Sequence, residues 1–498
     1  MTRPPIGLLL AVAVLAGGTA VTARVSPPRD RRAEAERVEV LGATAVCPDV
    51  HQVPGLFQSR ISVGVGPLPP GRSAAGGEVS TAVVDSTQPP TPTALRLPGQ
   101  VVVGLGTTLK DGAVAVRATG PLATSLEVEQ VARVNDGTYR GLAGMRCEAP
   151  KRDAWFMGAS TGLSDRAVLV LANVDDSPAT VDVTVFGRQG RADARPGQGL
   201  TVAPHRRLLL PMETLAPDMK YLVTHVRSRQ GRVVATLRHS RFITPVPLGF
   251  DFVPQALPPA RKVVVPGIPQ GPGYRSLLLG NPSQDDTTVS LQVTTKDGQF
   301  VPSGMNEIDV PAGRTVVVRM DKLTDPSPVT VTVTSSGAAV VASSFLIDWQ
   351  LDVPGSLHDI AYGGSTLPLT GPALLTDLVI DRPTESTLLL TAPEGPATVV
   401  VTPIKVLGAA GALPAPRRLT VAGGRTIAFR LSTFFPPGTH AQLAVEVRPE
   451  QGSGPVYATR YLRERGGRGL LATLLALQGP AQLVDRPAAV QDDEAGYP

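Results

Sequence analysis

One block of this chain occurs three times. Residues 200–215 align without a gap with residues 308–323 and again with residues 419–434. The offsets, 108 and then 111 residues, are the size of one small domain, so the chain encodes an array of similar units. Each copy carries an Arg in one register (Arg206, Arg314, Arg425) and an apolar residue further along in another (Met212, Met320, Leu431). An Arg kept in every copy reads as a scaffold residue bonding to a neighbouring turn. An array of this kind is expected to form an extended rod or arc that supplies reach and surface.

Within each copy the pattern is short runs of Val, Leu, Ile and Thr bounded by Gly, Pro, Asn or Asp, which reads as antiparallel strands. Residues 167–173 and 180–187 make two such strands around a turn at 175–178, and residues 277–281 and 287–295 repeat them. Asn173 and Asn281 share the repeat's register, each placed to satisfy turn backbone groups with its side chain. Each copy closes with a hairpin, at 222–235, 329–343 and 443–461, and a further strand is expected at 470–477. The 51 glycines and 49 prolines act as turn punctuation, and prolines gather at 247–259 and 368–372, between copies. The expected fold class is all-β: tandem immunoglobulin-like antiparallel β-sandwich modules after an N-terminal apolar helix. The expected boundaries are 1–25 for a signal peptide or signal anchor, 26–40 for a solvated stalk and 41–150 for a first β-rich module with a disulfide. Residues 151–250, 261–360 and 370–480 make the second, third and fourth β-sandwiches, and 481–498 a C-terminal tail.

Arg3 precedes an unbroken apolar run from Ile6 to Ala23, with small residues at 21–23 ahead of Arg24. The run serves equally as a cleaved signal peptide or as an uncleaved anchor that holds the chain at a membrane. Either way the remainder is extracytoplasmic. Cys47 and Cys147, the two cysteines of the chain, are expected to pair there, closing a loop of about 100 residues. The net charge of +5 is spread over scattered Arg residues, and aromatic residues are only 4% of the chain, so nucleic acid is not an expected partner.

Chemistry is harder to find. Residues 158–162 have the letters of a nucleophile elbow around Ser160, but an elbow needs a helix after its turn, and here a strand pattern follows. A plain Gly-rich turn is the stronger reading, and a hydrolase using Ser160 the weakest. The hairpin of the second copy gathers Arg227, Arg229, Arg232, Arg238, His239 and Arg241, whereas the equivalent hairpin of the third copy carries no charge. The cluster is therefore not demanded by the scaffold and is a candidate binding surface for an anionic polymer or membrane headgroups. The alternative is a solvated edge guarded by charge. Trp155 and Trp349 are candidate glycan platforms, the latter among Asp348, Asp352, His358 and Asp359. The acid pairs Asp175–Asp176 and Asp285–Asp286 lack the spacing of a calcium loop, and the six histidines are dispersed, so neither a metal site nor a cofactor is expected.

The order of features resembles a family of uncharacterised actinobacterial exported proteins. The resemblance rests on the N-terminal apolar segment, Val46-Cys-Pro48, Cys147 ahead of Trp155-Phe-Met-Gly-Ala159, the strand ending in Asn173 and the closing residues 490–498. It implies one N-terminal membrane segment, a large extracytoplasmic part and no established activity. The function expected on these grounds is a non-enzymatic scaffold or interaction protein of the cell envelope, partnered by envelope proteins or wall polymer. The alternative is a glycan-binding accessory protein.

Overall fold

The structure is a computed structural model. It describes residues 36–50, 53, 56–68, 76–105, 112–137, 139–193, 195–243, 246–324, 326–348, 357–381, 383–436, 439–466, 469–479 and 483–486. The described residues are nearly all β, in several antiparallel sheets. No described helix is long and apolar enough to cross a membrane, and the apolar run at 6–23 lies outside the described residues.

The alternation in the sequence explains each sheet. In strand Thr287–Thr294, Val289, Leu291 and Val293 point inward while Thr288, Ser290 and Gln292 point outward. That strand lies in a sheet with Lys262–Ile268, Val329–Ser335 and Gln299–Phe300. A second sheet, in the order Thr315–Arg319, Gly273–Gly280, Val341–Asp348, Asp359–Gly364, brings Leu277 and Leu279 against the same apolar residues. Burying each such side chain stabilises the fold by about 1.5–3 kcal/mol.

The four-stranded order recurs three more times. It runs Gln100–Leu105, Leu56–Val65, Leu126–Val134, Gly141–Arg146 in the first sheet pair, and Arg207–Pro211, Asp165–Ala172, Val234–Ile243, Val246–Val253 in the second. In the fourth it runs Arg425–Arg430, Thr384–Ala392, Tyr457–Gly466, Gly469–Ala476. The expected strand at 470–477 is therefore present.

The repeated block has a clear role in this plan. Its first strand (Leu200–Val202, Ile308–Val310, Arg417–Val421) pairs in one sheet of its pair, and its second (Arg207–Pro211, Thr315–Arg319, Arg425–Arg430) in the other. Between them the backbone is left-handed at His205 (φ 53), Gly313 (φ 65) and Gly424 (φ 70), which share one register. A short helical turn follows in each copy, at Met212–Thr214, Asp321–Thr324 and Leu431–Phe434. The Asn expectation is met in detail. Asn173 Nδ2 donates to the carbonyls of Ser177 and Val202 at 2.8 and 3.0 Å, and Asn281 Nδ2 to those of Asp285 and Val310 at the same two distances.

Three expectations need correction. The closing hairpins are arches: strands Val223–Gln230 and Val234–Ile243 lie in different sheets, as do Val329–Ser335 and Val341–Asp348, and Ala441–Pro449 and Tyr457–Gly466. The last residues of the expected stalk form a strand, because Glu36–Glu39 pairs antiparallel with Leu483–Arg486 in a small unit of its own. Residues Val40–Gln482 form one compact unit in place of an open array. Apolar clusters bridge its sheet pairs: Val50, Ala132 and Ala143 pack with Phe250 and Phe252, while Val131 and Leu142 pack with Leu462 and Leu471. Phe345 and Tyr362 belong to the core of the second pair, and Leu389 and Leu474 to that of the third. The fourth sheet pair thus returns to the first.

Candidate functional site

Within this unit, the last strands of the four sheets that share this order meet one another. The outer strands are Gly141–Arg146, Val246–Val253, Asp359–Gly364 and Gly469–Ala476. An outer strand presents unpaired N–H groups, which attract foreign strands when exposed and are costly when buried without an acceptor. Here one carboxylate serves all four strands. Asp359 Oδ2 accepts from Leu142 N and Ala472 N, both at 2.9 Å, and Oδ1 accepts from Phe250 N at 3.2 Å and from its own strand's Ile360 N at 2.9 Å. Strands approach this closely only where side chains vanish: a Cβ on Gly249 (φ 139) would lie 2.2 Å from Ile360 N, and one on Gly141 2.4 Å from Phe250 N.

Asp251, also fully buried, occupies the position 108 residues before Asp359, the repeat's own spacing. Its Oδ2 accepts from Tyr362 N at 2.9 Å, and Oδ1 lies 3.0 Å from Thr473 Oγ1, which in turn accepts from Gly144 N at 3.0 Å. Burial and the neighbouring Asp359 hold the Asp251 carboxyl well above the ordinary carboxylate range. Burial also raises Asp359, while backbone N–H bonds from Ala472, Leu142 and Phe250 and the charge of Arg140 pull it back. Four N–H donors fill every lone pair of an ionised carboxylate, and a proton on either oxygen would face a donor. Of the two, Asp359 is accordingly the first to give up its proton as pH rises, and its charge then holds the proton on Asp251.

Further buried polar groups join the pairs two by two. Between the second and third, His239 Nε2 sits 3.1 Å from Asp165 Oδ1 and Nδ1 2.9 Å from Tyr362 Oη, which accepts from Ala159 N at 3.2 Å. Between the first and fourth, Glu129 accepts from Thr376 N at 2.9 Å and faces Arg460 at 3.8 Å, while Arg60 meets Asp377 at 2.5 Å. Burial raises the Glu129 carboxyl and lowers the Arg460 guanidinium, each against the pull of the other's charge. Between the third and fourth, Asp348 accepts from Arg275 Nη2 at 2.8 Å and from the Tyr461 hydroxyl.

A cleft of about 370 Å³ opens over the C-terminal ends of the four outer strands. Gly144 and Arg146, Pro254, Gly364 and Leu474 line it from the four pairs in turn. Trp155 stands at its wall, on strand Asp153–Met157, stacked on His225 with ring centroids 3.8 Å apart and planes 8° from parallel. His225 Nε2 is 2.8 Å from Asp153 Oδ2, which fixes the ring that backs the indole. The other cross-strand neighbour of Trp155 is Ala256, also a lining residue. Lys151 Nζ donates to Glu148 at 2.9 Å and Gln255 at 2.6 Å, and Arg146 pairs with Glu127. Burial lowers the Arg146 guanidinium to about 10.

The model of a family of unknown function, DUF5719, matches residues 106–432, well over half the chain. The chain belongs to that family. No curated protein matches it. Among solved structures, "Crystal Structure of Thermotoga maritima 1070" aligns with 22% of this chain and 95% of its own, at 20% identity and a TM-score of 0.18, too slight a likeness to carry any argument.

In this DUF5719 member the residues singled out in the sequence fall in different places. Cys47 and Cys147 form a disulfide that ties the two sheets of the first pair, which points to an oxidising, extracytoplasmic environment. The basic cluster is not one surface. Arg227, Arg229 and Arg232 are exposed, with Arg229 on Asp182 at 2.5 Å and Arg232 on Asp175 at 2.7 Å. Arg238 and His239 are buried in the other sheet, Arg238 donating to the Asp49 carbonyl at 3.0 Å, and Arg241 lies 3.8 Å from Asp165. The arch divides what a hairpin would have displayed together. Ser160 is buried, its Oγ accepting from Tyr221 N at 3.2 Å, between two strands and without a following helix. That geometry is a closed turn and no nucleophile elbow. Trp349 lies outside the described residues. Among the described residues no group of His, Cys, Asp and Glu is arranged to hold a metal ion. Asp251 escaped the sequence reading, although two signals mark it: an acid flanked by Phe250 and Phe252, and the 108-residue step to Asp359.

Proposed function

We propose that this protein is a non-enzymatic, extracytoplasmic scaffold or interaction protein of the cell envelope. On this reading it is built of four tandem immunoglobulin-like sandwiches at 41–150, 151–250, 261–360 and 370–480, and Ile6 to Ala23 either holds it at the membrane or is removed on secretion. Its partners are envelope proteins or wall polymer, not nucleic acid. The observation that carries the reading is the use made of the buried ionisable groups. Asp359, Asp251, Glu129 and Asp348 each accept a hydrogen bond from another sheet pair, and Arg460 faces Glu129 of the first pair at 3.8 Å. In an enzyme, catalytic ionisable groups are kept open to a cleft for chemistry; here the buried ones hold four sheet pairs in fixed relation, which suits a protein that presents surfaces. The disulfide supports the compartment.

The test is fractionation of cells making the tagged full-length protein, with the N-terminal residue, mass and thiol state of the product measured. An oxidised product in the membrane fraction with Met1 intact, or in the medium starting near Arg24, is expected. A reduced product in the cytoplasm would overturn the reading.

A further inference from the structure

We propose that the cleft over the C-terminal ends of the four outer strands is a saccharide-binding site, taking an uncharged sugar of two or three rings with Trp155 as its stacking platform. The inference deepens the envelope reading and rests on it only for where such a polymer is met. At about 370 Å³ the cleft falls at the low end of the range of about 300–1,000 Å³ common to ligand sites. It is formed by all four sheet pairs at once, so the body must be closed for it to exist.

Trp155 is set up for stacking. His225 covers one face of the indole and is itself held by Asp153, so the ring does not need to be ordered on binding. On the opposite side its cross-strand neighbour is Ala256, the smallest side chain able to sit there, and both residues line the cleft. The C–H face of a pyranose is apolar and weakly positive, which matches the negative face of an indole. A hydroxylated ligand also needs acceptors and donors beside that face. Lys151, Asp153, Gln255, Ser365 and Gln478 line the same cleft and supply both.

Charge decides the class. The cleft holds two cations, Arg146 and Lys151, and two carboxylates, Glu148 and Asp153. Each is engaged inside the protein: Lys151 with Glu148, Asp153 with His225, and Arg146 with Glu127. A charged ligand would have to break such a pair, whereas a neutral polyol adds hydrogen bonds to it.

The test uses the full-length, oxidised protein carrying Trp349→Phe, which leaves Trp155 as its single tryptophan. Tryptophan emission is titrated with chitotriose and with cellotriose to millimolar concentration. A saturable shift with at least one sugar is expected. Ala256→Phe should abolish the shift by filling the space beside the indole, and Trp155→Ala, read by titration calorimetry, should weaken binding about tenfold or more. Thermal unfolding of each variant separates lost binding from lost fold, and Trp155→Phe, which keeps a smaller platform, should restore part of the affinity. Emission unmoved by both sugars, wild-type affinity in Trp155→Ala, or binding confined to an anionic oligosaccharide such as a sulfated trisaccharide would each overturn the proposal. None of these results bears on the envelope reading, which fractionation decides separately.

Discussion

Replacing Asp359 by Asn keeps the size of the side chain and removes its capacity to accept on both ends. One oxygen becomes an NH2 group that must face either Leu142 N and Ala472 N or Phe250 N and Ile360 N. Two buried donors then lose their acceptor, at about 1–3 kcal/mol each, for an expected loss of about 2–6 kcal/mol. Relief from burying a charge pulls the figure toward the lower end. The assay is urea unfolding of the oxidised protein at pH 7.5, comparing midpoint and slope with the parent. A lower midpoint at unchanged slope is expected. Unchanged or increased stability would refute the reasoning, because it would mean that Asp359 is protonated in the folded protein and that the four N–H groups do not depend on its charge.

Asp251 tests the other half of the pair. Its folded proton affinity is raised, so its contribution to stability is fully present below about pH 4, the unfolded value, and is lost as pH rises through the folded value. Asp251→Asn removes that loss, so the stability of the variant relative to the parent should improve between pH 5 and pH 8; a constant difference in urea midpoints over that range would contradict the assignment. Cys47→Ser with Cys147→Ser opens a loop with a sequence separation of 100, and the chain-entropy model puts the cost at up to about 4.7 kcal/mol, measurable as a drop in thermal midpoint that reducing agent reproduces in the parent. Asn281→Ala strips the bonds to Asp285 and Val310 and should cost about 1–3 kcal/mol in urea unfolding, with no effect on saccharide titration.

What the sequence made legible was whatever is settled locally. The strand runs at 167–173, 180–187, 277–281 and 287–295 were legible from Val, Leu, Ile and Thr bounded by turn residues, and the register of Asn173 and Asn281 named two turn bonds. The arches were not legible, because Val223–Gln230 and Val234–Ile243 flank a short Gly231-containing turn that reads the same whether the chain doubles back in one sheet or crosses to the other. That choice decided the fate of the basic cluster, placing Arg229 in solvent and Arg238 in the interior. The closure of four sheet pairs depended on long-range contacts such as Asp359 with Leu142 and Ala472, which no local pattern carries. Even so, the 108-residue step from Asp251 to Asp359 lay in the same register as the repeat, and a buried acid recurring at a repeat's spacing is a readable sign of a shared junction. The cleft at Trp155 inherits this difficulty, since its walls come from all four pairs.

Residues Val40–Gln482 form one compact unit, joined at the outer strands, and are expected to unfold as one cooperative body. Differential scanning calorimetry of the oxidised full-length protein tests it most directly. A single transition whose calorimetric and van't Hoff enthalpies agree is the predicted result. Several separable transitions, or a calorimetric enthalpy several times the van't Hoff value, would show independent beads and contradict the account.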